Sequence, residues 1–332
     1  MTTVSTHSSD ENPAAVTPAA PAPAQRDAPP VDLATLGNVV RDLYTDGVSA
    51  RKGVFTAQWA DRMREDIEQA YDEARQREGG AVGRGPHRYY VEMHPEQLRG
   101  FVDLVDHPWV RAVCEAVLGP GYSVVELGFD IPFAGAVNQP WHRDFAMPEV
   151  TREQRRLNSL AFNLTGVDTT EDMGPFEIAP GTQWDADDGF EHSMFPPRED
   201  YPRYRGLGVR KFPQRGDISV RSALTVHRGT ANHSGLSRPV LVLGVDAPGA
   251  GNDAHHDMAV TREYWETLPE RVRAHLHCPV VDALTPITQK HTIEGLVMGD
   301  SEPAAEPGAP GPGMDGGDTV RPAGGETDGD DR

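Results

Sequence analysis

The sequence predicts an α+β fold in which helices come first and short strands then close into an antiparallel barrel or jelly roll. Three observations predict it. Apolar residues recur at helical spacing through the first third of the 332 residues. From residue 122 the pattern changes to short apolar runs bounded by Gly and Pro. Those runs lack the regular strand–helix alternation that a parallel sheet requires.

Leu33, Leu36, Val39, Val40 and Leu43 mark one helical face, and Gly47 stands where that helix should stop. Thr56 is a candidate N-cap for a helix over 57–78, with Trp59, Met63, Ile67 and Tyr71 along one side. A shorter helix over 109–118 should end at Gly119-Pro120. Strands are expected over 122–132, 158–167, 174–179, 217–222 and 239–246, and a last helix over 261–276. Residues 1–30 are rich in Ala, Pro, Ser and Thr, and residues 299–332 are dominated by Gly, Pro and Asp. Neither stretch can bury enough apolar surface to offset its ordering entropy, so both are expected to be disordered tails. That leaves 31–298 as one domain with a sizeable core.

Composition excludes several functions. The chain carries 31 Lys and Arg against 51 Asp and Glu, a formal charge of −20. The tails hold −2 and −7, which leaves −11 on residues 31–298. Such a charge repels phosphate backbones, so no nucleic-acid partner is expected. It is compatible with a cationic small molecule. No apolar run reaches the length of a membrane span, and the N-terminus lacks the features of a secretory signal. The expectation is a cytoplasmic protein without a membrane partner; a homo-oligomer is left open. Two cysteines, Cys114 and Cys278, make neither a disulfide framework nor a Cys-rich zinc site.

The segment Asn138-Gln139-Pro140-Trp141-His142-Arg143-Asp144-Phe145 carries chemistry. On extended backbone, residues i and i+2 point to one side, so His142 and Asp144 would converge. A second His across a barrel would complete two imidazoles and one carboxylate, a facial set that suits Fe(II) and leaves three coordination positions open. An isolated His-x-Asp is also a common surface pair. His227 supplies the second His: it closes a strand-like run, and Arg238 follows 11 residues later at the start of the next strand. An Arg there suits the far carboxylate of a dicarboxylate. The same two His and one Asp on Zn2+ would serve a hydrolase or lyase, which has no need of Arg238. Elsewhere, Glu177 alternates with Phe176 and Ile178, and would face either a cationic substrate or one of the many arginines. His255-His256-Asp257 sits in a loop-like stretch and reads as solvated.

Residues 31–298 resemble the phytanoyl-CoA dioxygenase family of Fe(II)/2-oxoglutarate oxygenases. The resemblance rests on WHRD at 141–144, GPFEIAPGTQW at 174–184, and HRGTAN at 227–232 with Arg238. Where the family commonly has His after Pro-Gly-Ser/Thr, this chain has Gln183. The resemblance implies a double-stranded β-helix, jelly-roll or cupin-like, with N-terminal and flanking helices. It implies Fe(II) on His142, Asp144 and His227, with 2-oxoglutarate and O2 as cosubstrates and Arg238 holding 2-oxoglutarate. Thr230, Gln139 and Asn163 are weaker candidates for cosubstrate contacts. Glu177, Phe145 and Trp184 are candidates for the substrate side. Within the family, the segments 94–110, 138–149, 173–184 and 291–299 are most similar to oxygenases of aminoglycoside biosynthesis, the kanamycin B dioxygenase type. That similarity implies hydroxylation at an amine-bearing carbon and loss of ammonia to a ketone.

Overall fold

The structure, a computed structural model, describes residues 31–290. The expected tails, 1–30 and 299–332, and the 291–298 end of the domain lie outside the described residues.

Four helices open the fold: α1 (Leu33–Thr45), α2 (Ala57–Ala74), α3 (Phe101–Val105) and α4 (Pro108–Leu118). Asp32 caps α1 by accepting the Thr35 N–H, and Thr56 caps α2 by accepting that of Trp59. Between them, and woven into them, run ten strands: β1 (Val48–Arg51), β2 (Val82–Gly83), β3 (Arg88–Glu92), β4 (Ser123–Pro132), β5 (Ser159–Thr165), β6 (Phe176–Ile178), β7 (Val209–Lys211), β8 (Ile218–Ser222), β9 (His227–Gly229) and β10 (Val240–Asp246). They form a seven-stranded sheet, β1-β8-β5-β10-β4-β3-β2, and a three-stranded sheet, β7-β6-β9. Every pair in both is antiparallel. The remaining elements are short: α5 (Glu149–Gln154), α6 (Tyr201–Leu207), α7 (Arg262–Thr267), α8 (Glu270–Arg273), and a parallel pair β11 (Val260–Thr261) and β12 (Val280–Val281). Among the described residues, no helix is long and apolar enough to cross a membrane.

The period-2 pattern of the long strands decides where the core sits. Leu127, Phe129 and Ile131 of β4, Leu160, Phe162 and Leu164 of β5, Ile218 and Val220 of β8, and Leu241, Leu243 and Val245 of β10 are buried in one cluster with Trp59, Met63 and Ile67 of α2 and Trp109 and Val113 of α4. At about 25 cal/mol per Å2 of apolar surface, this helix-on-sheet layer is the main stabilising term. The alternate residues face the other way, toward the three-stranded sheet, and apart from Val240 and Val242 of β10 they are mostly small or polar: Glu126, Asp130, Ser159, Ala161, Asn163, Ser219, Arg221, Gly244, Asp246. One face of the large sheet builds the core, and the other lines a cavity.

Two sequence expectations need correction. The helix over 261–276 is two short ones, because Pro269 lacks the N–H and crowds the preceding turn. Helix α2 ends at Ala74, four residues early, where the Arg75 N–H turns back onto Tyr71 O and Glu73 O. The short strands β1, β2, β3 and β7 were not expected, and β9 begins at His227 where the strand-like run was expected to close.

Candidate active site

His142 lies beyond the edge of the small sheet and extends it by an isolated antiparallel bridge to His227: His142 N–H donates to His227 O at 2.9 Å and His227 N–H to His142 O at 2.8 Å. This bridge is what brings residues 85 positions apart face to face. The Asp144 N–H donates to Ala223 O at 2.9 Å, which sets the carboxylate beside the two rings. The ligand atoms of His142, Asp144 and His227 lie within 4.8 Å of one another, the one such grouping among the described residues.

Each imidazole is oriented by its own backbone. Nδ1 of His142 is 2.9 Å from Pro140 O, and Nδ1 of His227 is 2.9 Å from Thr225 O. A carbonyl only accepts, so Nδ1 carries the proton and Nε2 keeps its lone pair for the shared point. Burial pushes the His142 ring down to about 4 and, with Arg221 and His142 beside it, holds His227 well below the ordinary imidazole range. Both are neutral at neutral pH, as metal ligation requires. Burial alone would push the Asp144 carboxyl up, but Arg221 and then His227 outweigh it and hold it below the usual carboxylate range. Two neutral imidazoles and one carboxylate oxygen on one side of a point fit a divalent iron with further positions left for other ligands.

The triad opens into a cavity of about 540 Å3 lined from both sheets. Arg238 is buried in its wall, just before β10. Its Nε donates to Met173 O at 3.2 Å, and its Nη groups make no hydrogen bond among the described residues. Burial and the neighbouring Arg88 push it down to about 10, so it stays charged. Asn163, Gln139 and Phe145 also line the cavity. Gln139 accepts the Gly229 N–H through Oε1 at 2.8 Å.

Three expected site residues lie elsewhere. Thr230 donates its hydroxyl to Pro175 O at 2.6 Å and does not line the cavity. Trp184 follows a tight turn that carries the chain toward the end of α1, where its Nε1 donates to Tyr44 O at 3.0 Å. Glu177 sits on the face of β6 opposite Phe176 and pairs with Arg228 at 2.7 Å and Arg210 at 3.5 Å; Phe176 lines the cavity instead. Gln183 spends its amide on the carbonyls that end α1, far from metal chemistry. Asn232 is fully buried and holds the β9–β10 loop through Pro132 O and Leu236 O.

Several cavity residues were not singled out from the sequence: Arg221, Glu126, Asp246 and Tyr90. Strand parity was the available signal, since Glu126 and Arg221 each alternate with core residues. His256 is not solvated as expected. Its side chain is 9% exposed, and its ring lies 3.5 Å from Glu92 and 3.9 Å from Glu126, while His255 stays exposed. Burial would pull the His256 ring down, but Glu126 and Glu92 outweigh it and raise it.

The family model described as phytanoyl-CoA dioxygenase (PhyH) matches residues 43–240. No curated protein matches the chain. Among solved structures, the epimerase SnoN in complex with Fe3+, alpha ketoglutarate and nogalamycin RO superposes with a TM-score of 0.52 at 20% identity, covering 66% of this chain and 93% of that one. The non-heme alpha ketoglutarate dependent carbocyclase SnoK from nogalamycin biosynthesis gives 0.52 at 20% identity, covering 68% and 92%. EctD from S. alaskensis, with 2-oxoglutarate and 5-hydroxyectoine, gives 0.51 at 14% identity, covering 67% and 78%. These likenesses show the double-stranded β-helix fold.

Proposed function

This chain belongs to the phytanoyl-CoA dioxygenase family, and from that premise we propose an Fe(II)- and 2-oxoglutarate-dependent dioxygenase that oxidises a C–H bond of a cationic amino sugar. The observation that carries the class is the joining of the His142–Asp144–His227 grouping and Arg238 in one cavity. His142, Asp144 and His227 would hold the iron, and Arg238 would pair the distal carboxylate of 2-oxoglutarate. When bound, iron and 2-oxoglutarate supply oxidative decarboxylation of the cosubstrate by O2 and oxidation of the substrate carbon. The protein keeps both imidazoles neutral by burial, aims their Nε2 atoms at the shared point through their Nδ1 bonds, and keeps Asp144 ionised through Arg221.

A cationic substrate is supported by the sheet register. One rung of the large sheet reads Arg221, Ala161, Gly244, Glu126 across β8, β5, β10 and β4. Arg221 touches Asp144. Glu126 therefore stands three strands away, about 14 Å at the usual spacing. Ala161 leaves a low floor, and the Glu126 side chain leans over Gly244 toward it. A sugar lying on that floor would put one carbon near the metal ligands and an ammonium near Glu126, with Asp246 of β10 alongside. Oxidation at an amine-bearing carbon would then give a carbinolamine that loses ammonia to a ketone. SnoK comes from nogalamycin biosynthesis and SnoN is bound to nogalamycin RO, which agrees with action on an elaborate small molecule.

The test is succinate formation from 2-oxoglutarate with Fe(II) and ascorbate, across aminoglycosides, acyl-CoA and amino-acid controls. Succinate stimulated by one aminoglycoside, with ammonia released, is the expected result. Succinate that no panel member stimulates would remove the substrate assignment and leave the class. No succinate from iron-loaded protein would favour hydrolysis or elimination on the same ligands.

A further inference from the structure

We propose that Arg221 is a positioning residue that couples the metal to the dicarboxylate cosubstrate, sharing Asp144 with the metal and adding the positive charge that the dianion answers. The inference rests on the oxygenase reading above.

Arg221 forks onto both oxygens of Asp144. Nη1 meets Oδ2 closely, and Nη2 reaches Oδ1 at 3.3 Å. Oδ1 is also the oxygen 3.5 Å from Nε2 of His227, so it is the one aimed at the shared point. The tight contact thus occupies Oδ2 and leaves a lone pair of Oδ1 for the metal, which favours binding through one oxygen. The guanidinium has little room to swing. Arg221 is 6% exposed, its strand is paired on both sides by Val48 of β1 and Ala161 of β5, and it lies over the Phe176 ring at 5.7 Å. Asp144 is the carboxylate it pairs among the described residues.

Charge then gives the coupling. Without metal, Asp144 and Arg221 sum to zero. A divalent ion raises this metal end to +2, and the chelating end of the dicarboxylate lowers it while Arg238 answers the distal carboxylate. Arg221 repels the bare ion and attracts the dianion, and because the Arg221 side chain is itself buried its charge is less screened than a surface one. A residue that merely shaped Asp144 would change metal affinity alone.

The experiment titrates Mn2+ into the full chain by calorimetry, with and without 2-oxoglutarate, for the wild type, Arg221→Gln and Arg221→Lys. Circular dichroism and Tm check folding. The measured quantity is the factor by which 2-oxoglutarate tightens Mn2+ binding. Arg221→Gln should reduce that factor roughly tenfold or more while bare Mn2+ binds as well or better. Arg221→Lys, which keeps the charge without the fork, should retain most of it. An unchanged factor in folded Arg221→Gln would overturn the proposal, as would loss of bare Mn2+ affinity with the factor preserved. If Arg221→Gln does not fold, Arg221→Lys decides alone: a factor near wild type supports charge coupling, and a tenfold loss in folded protein overturns it. A wild-type chain that takes up neither Mn2+ nor 2-oxoglutarate would sink the oxygenase reading, a result distinct from a silent Arg221.

Discussion

At the residue scale, the cavity is built by what each side chain leaves unsatisfied. Arg238 offers its Nη groups to the cavity. Hydrogen bonds to charged groups contribute about 1.5–3 kcal/mol, so Arg238→Ala should raise the 2-oxoglutarate KM roughly 10–150-fold. Succinate kinetics at varied cosubstrate check this, and an unchanged KM would place the dicarboxylate elsewhere. Gly244 shows the opposite constraint. A Cβ added there would lie 2.5 Å from Oε2 and 2.7 Å from Cβ of Glu126. Gly244→Ala must therefore push the Glu126 side chain and cost about 1–3 kcal/mol. The expected outcome is a lower Tm and a raised KM for the amine substrate, with 2-oxoglutarate binding unchanged. Full activity toward a cationic substrate would show that the floor of the Glu126 rung is not where it lies.

At the element scale, one helix cap titrates. His107 caps α4 by accepting the Trp109 N–H through Nδ1 at 3.1 Å, which requires the neutral ring. Burial, aided by Arg51, pushes its pKa down to about 4 from 6.5. Because the folded value lies below the unfolded one, the unfolded chain takes the proton first. Stability is therefore full above about 6.5 and falls as pH drops toward 4, by on the order of 2–3 kcal/mol for this group. A series of Tm values against pH should show that His107→Asn, which keeps a capping oxygen and cannot titrate, has a shallower slope between those limits. Parallel slopes would mean that His107 is already protonated in the folded state.

At the scale of the whole molecule, the large sheet divides the labour between its two faces. One face joins the helices in the core, and the other walls the cavity. Residues 1–30 and 299–332 are poor in large apolar side chains and are expected to add little to either face. A chain trimmed of 1–30 and 299–332 should accordingly keep its Tm within a few degrees and its succinate formation within about twofold. Thermal melts and turnover of the trimmed chain check this; a large loss in either would assign the ends a part in the fold or the site.

Local chemistry already written in the sequence was sufficient for part of this. The caps Thr56 and Gly47, the change from helical to short apolar runs, the His142-x-Asp144 spacing and the His227 to Arg238 interval all act over neighbouring residues, so they could be read without a fold. The long strands were legible for the same reason, because their core faces are continuous apolar alternations. What only tertiary structure decided is pairing. His142 meets His227 through a bridge across 85 positions, Glu177 finds Arg228 and Arg210, and Thr230 and Trp184 turn away from the cavity. His256 becomes buried between two glutamates, and Arg221 and Glu126 fall on one rung. A side chain's parity along its strand follows from the local pattern, but which strand lies beside it depends on register, and register is set by the packing of the whole sheet.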